Sequence, residues 1–302
     1  MLPFGRIPQF IQEIEAERKM IIDFHTHTFP DAVAPRAMEK LKRMCHTTPY
    51  TDGTSTGLLH SMERAGVDVS LLLPVATNPE KVRPINDSAA QINAPFSGKG
   101  FLSFGCMHPD CLYWQEELTR IAALGLRGIK LHPDYQGVDF DDLRYQRILG
   151  RAAELGLMVL IHAGVDVGYP GRVRCTPEMI AHVLDRVGPI TLILAHMGGW
   201  QVWDEAESVL AHTGVYLDTA FCLGQLRLLD EPVSPPWQSY TTMKQEQFLR
   251  MVRAFGADHV LFATDSPWSD QQETLDCLRA LPLSDQELEA ILGENARRLL
   301  GL

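Results

Sequence analysis

The sequence predicts an α/β chain, a single (β/α)8 barrel with a metal site at the C-terminal ends of its strands. Three observations carry this reading. Eight apolar runs alternate with stretches of helical spacing, the helical stretches have recognisable ends, and histidine, lysine and aspartate collect where the runs stop.

In order, the runs are "MIIDF" (20–24), "VSLLLPV" (69–75), "GFLSFGC" (100–106), "RGIKL" (127–131), "LMVLI" (157–161), "ITLILA" (190–195), "GVYLDT" (214–219) and "HVLFAT" (259–264). Each is short and apolar or β-branched, as a buried parallel strand is, and eight such units alternating with helices close a barrel. The helices announce their termini. Thr176 before Pro177 supplies an N-cap and a first-turn proline to "EMIAHVLDRVG", and Gly188 stops it. Asp141 or Asp142 caps "LRYQRILGRAAELG", and Ser284 with Glu287 makes a capping box for "LSDQELEAILGENARRLL". Residues 1–19 read as an N-terminal extension and 20–302 as one barrel domain, since no linker interrupts the alternation; the proline-rich residues 228–242 read as an excursion after the seventh strand. An open nucleotide-binding sheet is disfavoured, because the first strand runs into His-Thr-His-Thr rather than a glycine-rich turn.

Composition narrows the partners. The chain has 302 residues, 45% hydrophobic and 22% charged, enough apolar material for a large core. Lys plus Arg number 27 against 38 Asp plus Glu, a net charge of −11 without a basic stripe, so a nucleic-acid partner is not expected. No apolar run reaches the roughly 20 residues of a membrane span. The six cysteines form no Cys-x-x-Cys pair, which points to reduced thiols in the cytoplasm rather than a disulfide framework. A small-molecule substrate remains.

The strand ends supply the chemistry. His25 and His27 follow the first run two residues apart, Lys130 and His132 lie at the fourth, His162 at the fifth, His196 at the sixth and Asp265 at the eighth. Each alone has an ordinary structural explanation: a hydrogen-bonded histidine, a helix-capping aspartate, an ion-paired lysine. Together they fall only at the end of a barrel where active sites form, and converging neutral imidazoles suit a divalent transition metal.

From "DFHTHTF" through "GIKLHPDYQ", "VLIHAG", "LILAHMGGW" and "VYLDTA" to "ATDSPW", the chain resembles the amidohydrolase superfamily, in its amidohydrolase-related branch of metal-dependent TIM-barrel hydrolases. The resemblance implies that His25, His27 and Asp265 hold one metal, zinc being the expected ion. It implies that His162 joins them or sits on a second metal, and that His196 is a second-metal ligand or a catalytic histidine. "KLHP" is similar to the "KLYP" of dihydroorotases, whose lysine is carboxylated and bridges two metals, whereas the decarboxylases of the related branch use one metal and no such lysine. The ion count thus stays open between one and two per chain, with Lys130 a bridging ligand if carboxylated, and a homodimer would be in keeping with the family.

The reaction that the resemblance implies is hydrolysis of a small-molecule amide, lactone or related cyclic C–N or C–O bond. Metal-activated water attacks, Asp265 acts as general base and then acid, and His196 or His132 steadies the oxyanion. No other acidic residue is read as ending a strand so clearly as Asp265. His132 and Arg172 are the candidate substrate-binding residues, and Trp200 and Trp268 candidate pocket walls. The alternative is decarboxylation or hydration of a small unsaturated or aromatic acid on the same barrel.

Overall fold

A computed structural model describes residues 19–229 and 236–302. The expected extension at 1–19 thus lies outside the described residues except for Lys19, as does part of the excursion at 228–242. Strands β1 (Ile22–Thr26), β2 (Val69–Leu72) and β3 (Gly100–Ser103) form one parallel ladder. A second contains β4 (Gly105–Cys106), β5 (Gly128–Leu131), β6 (Met158–Ile161), β7 (Leu192–Leu194), β8 (Tyr216–Asp218) and β9 (Val260–Leu261), again in chain order and all parallel. All eight expected runs are strands. The third is divided at Phe104, whose amide still bonds Leu72 O at 3.1 Å and whose ring meets Phe24 edge-on.

Backbone bonds join the last strand to the first. Phe24 N donates to Phe262 O at 2.9 Å, Asp265 N to His25 O at 2.8 Å and His27 N to Ser266 O at 2.7 Å, with Thr26 and Ser266 paired in parallel. They close the barrel, and they tie the His25/His27 segment directly to Asp265. Asp23 reinforces the seam: its buried carboxylate accepts from Thr264 N at 3.0 Å, Thr264 Oγ1 at 2.6 Å and Gln271 Nε2 at 2.8 Å.

Strand alternation divides the core into two layers. Met158, Leu160 and Ile193 pack inside the barrel with Phe24, Val69, Leu71 and Leu261, while their neighbours Val159, Ile161, Leu192 and Leu194 face the surrounding helices. Each such fully buried aliphatic side chain contributes about 1.5–3 kcal/mol. Ile129, Leu131 and Leu217 belong to the outer layer, so Lys130 and Asp218 point inward. β1 departs from strict alternation. Its pairing with β2 shifts between Asp23 and Thr26, and an extra residue of this kind re-aims a side chain; Phe24 fills the inner core while His25 still reaches the barrel centre.

The expected caps form: Thr176 accepts from Met179 N, Asp142 from Arg144 N, and the Ser284/Glu287 box is complete. The last helix differs from expectation. It breaks into Asp285–Glu289, a π-helical turn Ala290–Glu294 and Asn295–Leu300. The turn includes a close approach at Gly293, where a Cβ would stand 1.9 Å from Met20 O.

Candidate metal centre

The site begins with the direction of hydrogen bonds at β1. His25 Nδ1 lies 2.8 Å from Asp218 Oδ2, and His27 Nδ1 lies 2.9 Å from Leu73 O. A carbonyl and a carboxylate only accept, so each imidazole carries its proton on Nδ1 and presents a bare Nε2. The two Nε2 atoms stand 3.1 Å apart. Asp265 Oδ1 lies 3.1 Å from His27 Nε2 and 3.5 Å from His25 Nε2. Three electron-pair donors thus converge with no proton to share.

This donor set fits a divalent ion. Bonds of about 2.0–2.1 Å in tetrahedral geometry place neighbouring ligands about 3.3–3.4 Å apart, close to the 3.1–3.5 Å between these three atoms. Asp218 behind His25 completes the carboxylate–histidine arrangement that orients a ligating ring. Burial pushes His25 well below the usual imidazole range, and the Lys130 charge adds to this; the ring stays neutral and able to bind an ion. Asp265 and His196 both adopt left-handed backbone, φ 65° and 61°, a strain that non-glycine residues carry where a side chain must be aimed.

The remaining strand ends surround this triad. Lys130 is buried, with Nζ 3.3 Å from His25 Nε2. Burial lowers its pKa to about 8, against the opposing pull of Asp218, Asp265 and Asp166. His196 is anchored through Nδ1 to Ala220 O at 2.9 Å, and its Nε2 faces His162 Nδ1 at 3.0 Å. His162 stacks on His132, ring centroids 4.2 Å apart. Asp166 Oδ2 lies 3.4 Å from His132 Nε2 and 3.7 Å from His162 Nε2. By position, His132, His162 and Asp166 make a second group of the kind that can hold a metal.

The triad, Lys130, His132, His162, Asp166 and His196 line one cavity of about 890 Å³. Its wall is mostly apolar, with Phe29, Leu73, Ile85, Val165, Phe221 and Trp268 among the lining side chains. Trp200 and Trp268, for which the sequence allowed pocket wall and core packing equally, both line the cavity, Trp200 also belonging to the buried core. Arg172 is placed elsewhere: it is exposed, ion-paired with Asp139, and absent from the cavity lining. Asp139 also holds Arg174 at 2.9 Å.

Two buried acids escaped the sequence reading. Asp218 ends β8 as plainly as Asp265 follows β9, which corrects the expectation that Asp265 stands alone; "VYLDT" carries the signal as an aspartate after an apolar run. Asp166 sits four residues beyond His162, a spacing that carries no message until the chain turns back.

Solved structures with this fold include a 5-carboxyvanillate decarboxylase of Sphingomonas paucimobilis. It has a TM-score of 0.67 and 16% identity, covering 94% of this chain and 100% of that one. A dihydroxybenzoic acid decarboxylase of Polaromonas, with bound manganese and 2-nitroresorcinol, aligns at TM-score 0.66 and 15% identity, covering 94% and 98%. A TIM-barrel protein of Bordetella bronchiseptica aligns at TM-score 0.69 and 19% identity, covering 93% and 98%. No curated protein matches the chain. The amidohydrolase family model matches residues 22–302; with a ligand triad suited to a divalent ion inside a parallel barrel, the chain belongs to the amidohydrolase family.

Proposed function

We propose that the protein is a metal-dependent decarboxylase of an aromatic or unsaturated carboxylic acid. The observation that carries this is the cavity: a largely apolar chamber, wide enough for a substituted ring, closing on the His25/His27/Asp265 triad beside the buried Lys130. Such a wall holds a flat apolar body, and the few polar groups at its floor orient the acid. The decarboxylases of the same fold support the reading. Hydrolysis, the expectation drawn from the sequence, uses the same ligands, and the cavity and these likenesses weigh against it.

In this reading His25, His27 and Asp265 hold the ion and His162 is the fourth ligand. The bound ion would supply a positive centre that draws in the carboxylate and stabilises negative charge. Asp265, having taken up the proton that the incoming acid gives up, delivers it to the ring carbon bearing the carboxylate. The C–C bond then breaks, its electron pair returns to the ring, and carbon dioxide leaves. His196, held by Ala220 O, faces this region with an accepting Nε2. His132 lines the same floor as a substrate contact, and Lys130 keeps a free amine. A carbamate on Lys130 would add oxygen ligands and call for a second ion. The manganese in a protein of the same fold makes manganese as good a candidate as zinc. Free thiols at Cys45, Cys106, Cys111, Cys175, Cys222 and Cys277 fit a reducing, cytoplasmic setting.

The test is a substrate panel. Protein loaded with manganese or zinc is offered hydroxybenzoates and unsaturated acids alongside lactones and cyclic amides, with carbon dioxide and ring absorbance followed. Carbon dioxide release that stops on chelation and returns with metal supports the proposal. Ring opening of lactones or amides without decarboxylation refutes it, as does two tightly bound ions bridged by a carboxylated Lys130.

A further inference from the structure

We infer that Asp166 is a positioning residue for His162, holding that ring so that Nδ1, not Nε2, faces the metal centre. The inference rests on the one-ion reading above, in which His162 is a ligand. A histidine that ligates through one nitrogen keeps its proton on the other and needs an acceptor there. His25 has Asp218 in that role, and His27 has Leu73 O. His162 Nε2 is buried with no hydrogen-bond partner, and the carboxylate oxygen nearest it is Asp166 Oδ2, at 3.7 Å. Nδ1, on the other side of the ring, points at His196 Nε2. Asp166, at 3.7 Å and not hydrogen-bonded to it here, is therefore the group placed to take for His162 the part that Asp218 takes for His25 at 2.8 Å.

The carboxylate is itself held firmly. Oδ1 accepts from Gly168 N at 2.8 Å, and the segment is pinned by Val165 N to Trp200 O and by Trp237 Nε1 to Val167 O, each at 2.9 Å. The segment approaches Trp200 so closely that a Cβ on Gly164, φ +82°, would lie 2.3 Å from Trp200 N.

The same three side chains could pass for a second metal site, but hydrogen-bond direction opposes it. His132 Nδ1 accepts from Tyr135 N, so its proton sits on Nε2, which faces Asp166 Oδ2 as a donor. The stacked rings, 11° from parallel, also send their in-plane lone pairs alongside one another instead of toward one point. Asp166 thus faces the N–H of His132 Nε2, and would accept one from His162 Nε2 once His162 Nδ1 is given over to an ion. Without metal, His196 Nε2 is bare, since Nδ1 donates to Ala220 O, and His162 donates to it from Nδ1. Loading the ion exchanges that proton for one on Nε2, with no net change in proton number.

The test measures ion affinity, by chelator competition with zinc, in wild type, Asp166→Asn, His162→Ala and the double variant, each checked by circular dichroism. Asp166→Asn should weaken binding about 10–100-fold, yet change it less than about twofold when His162 is already alanine. Nitrogen-15 NMR of the wild-type zinc form, which needs no variant, should show the His162 proton on Nε2. Four results would overturn the inference: an equal Asp166→Asn effect in both backgrounds, no effect in either, a proton on Nδ1, or a second ion that Asp166→Asn alone removes. His162→Ala with undiminished affinity would overturn it together with the four-ligand reading. Failure to decarboxylate any acid leaves these affinities standing, because none of them is read through turnover.

Discussion

Asp218→Asn is expected to disable the metal centre without touching a ligand. The Asp218 carboxylate accepts from His25 Nδ1 at 2.8 Å, His196 N at 2.8 Å and Ala220 N at 3.1 Å. Oδ1 serves both amides, so in asparagine the oxygen stays there and the NH2 group turns toward His25. Two donors then face each other across the former bond. His25 can relieve the clash only by moving its proton from Nδ1 to Nε2, the atom that must be bare to bind an ion. Loss of such an outer partner costs about 10–100-fold in metal affinity, or about 1.4–2.7 kcal/mol, and the enforced tautomer places this substitution at the upper end. Chelator competition reads the affinity, and nitrogen-15 NMR of metal-free protein reads the tautomer. Affinity within about threefold of wild type, with the His25 proton still on Nδ1, would refute the reasoning.

Asp265→Asn should cut turnover by about 10² to 10⁴-fold while substrate binding changes little; single-turnover kinetics at matched metal content separate the two, and near wild-type turnover would exclude Asp265 as the proton donor. Arg172→Ala should leave turnover unchanged and stability within about 1 kcal/mol, because the exposed Arg172–Asp139 pair lies off the cavity; a rise in KM of tenfold or more would return Arg172 to the site. For Asp23, burial raises the folded pKa to about 7 from 3.8, so the native state holds this proton more tightly than the unfolded chain does. Its contribution is full below about pH 4 and is lost as pH rises to about 7; urea titrations should show wild type losing stability over that window relative to Asp23→Asn, and parallel curves would contradict it.

The barrel was legible because its physics is periodic. A parallel strand buried on both faces reads as an unbroken apolar run, and a helix shows its caps, so the eight runs and the ends at Thr176, Asp142 and Ser284 follow from local chemistry. The exceptions are places where a distant contact overrides local preference. The π-helical turn holds Gly293 against Met20 O, where no side chain would fit, and the third strand divides at Phe104, in edge-on contact with Phe24. Neither neighbour is visible within the window that predicts the element.

The site divides along the same line. Candidate ligands were legible because few side chains bind a metal and barrels present them only at strand ends, which singled out His25, His27, His162, His196 and Asp265, all of which line one cavity. Their outer partners were not, since Asp218 and Asp166 look like any aspartate near a strand end or loop, and only the fold shows which nitrogen each one faces. Arg172 shows the converse: a loop charge without periodicity could point anywhere, and it turned to Asp139. Reaction type was the least legible feature, because one ligand set serves both hydrolysis and carbon dioxide release. What favours decarboxylation in the proposed reading is the wall, assembled from Phe29, Leu73, Ile85, Val165, Phe221 and Trp268. Those residues lie far apart in the chain, so their apolar character becomes a property of the site only once the barrel has closed.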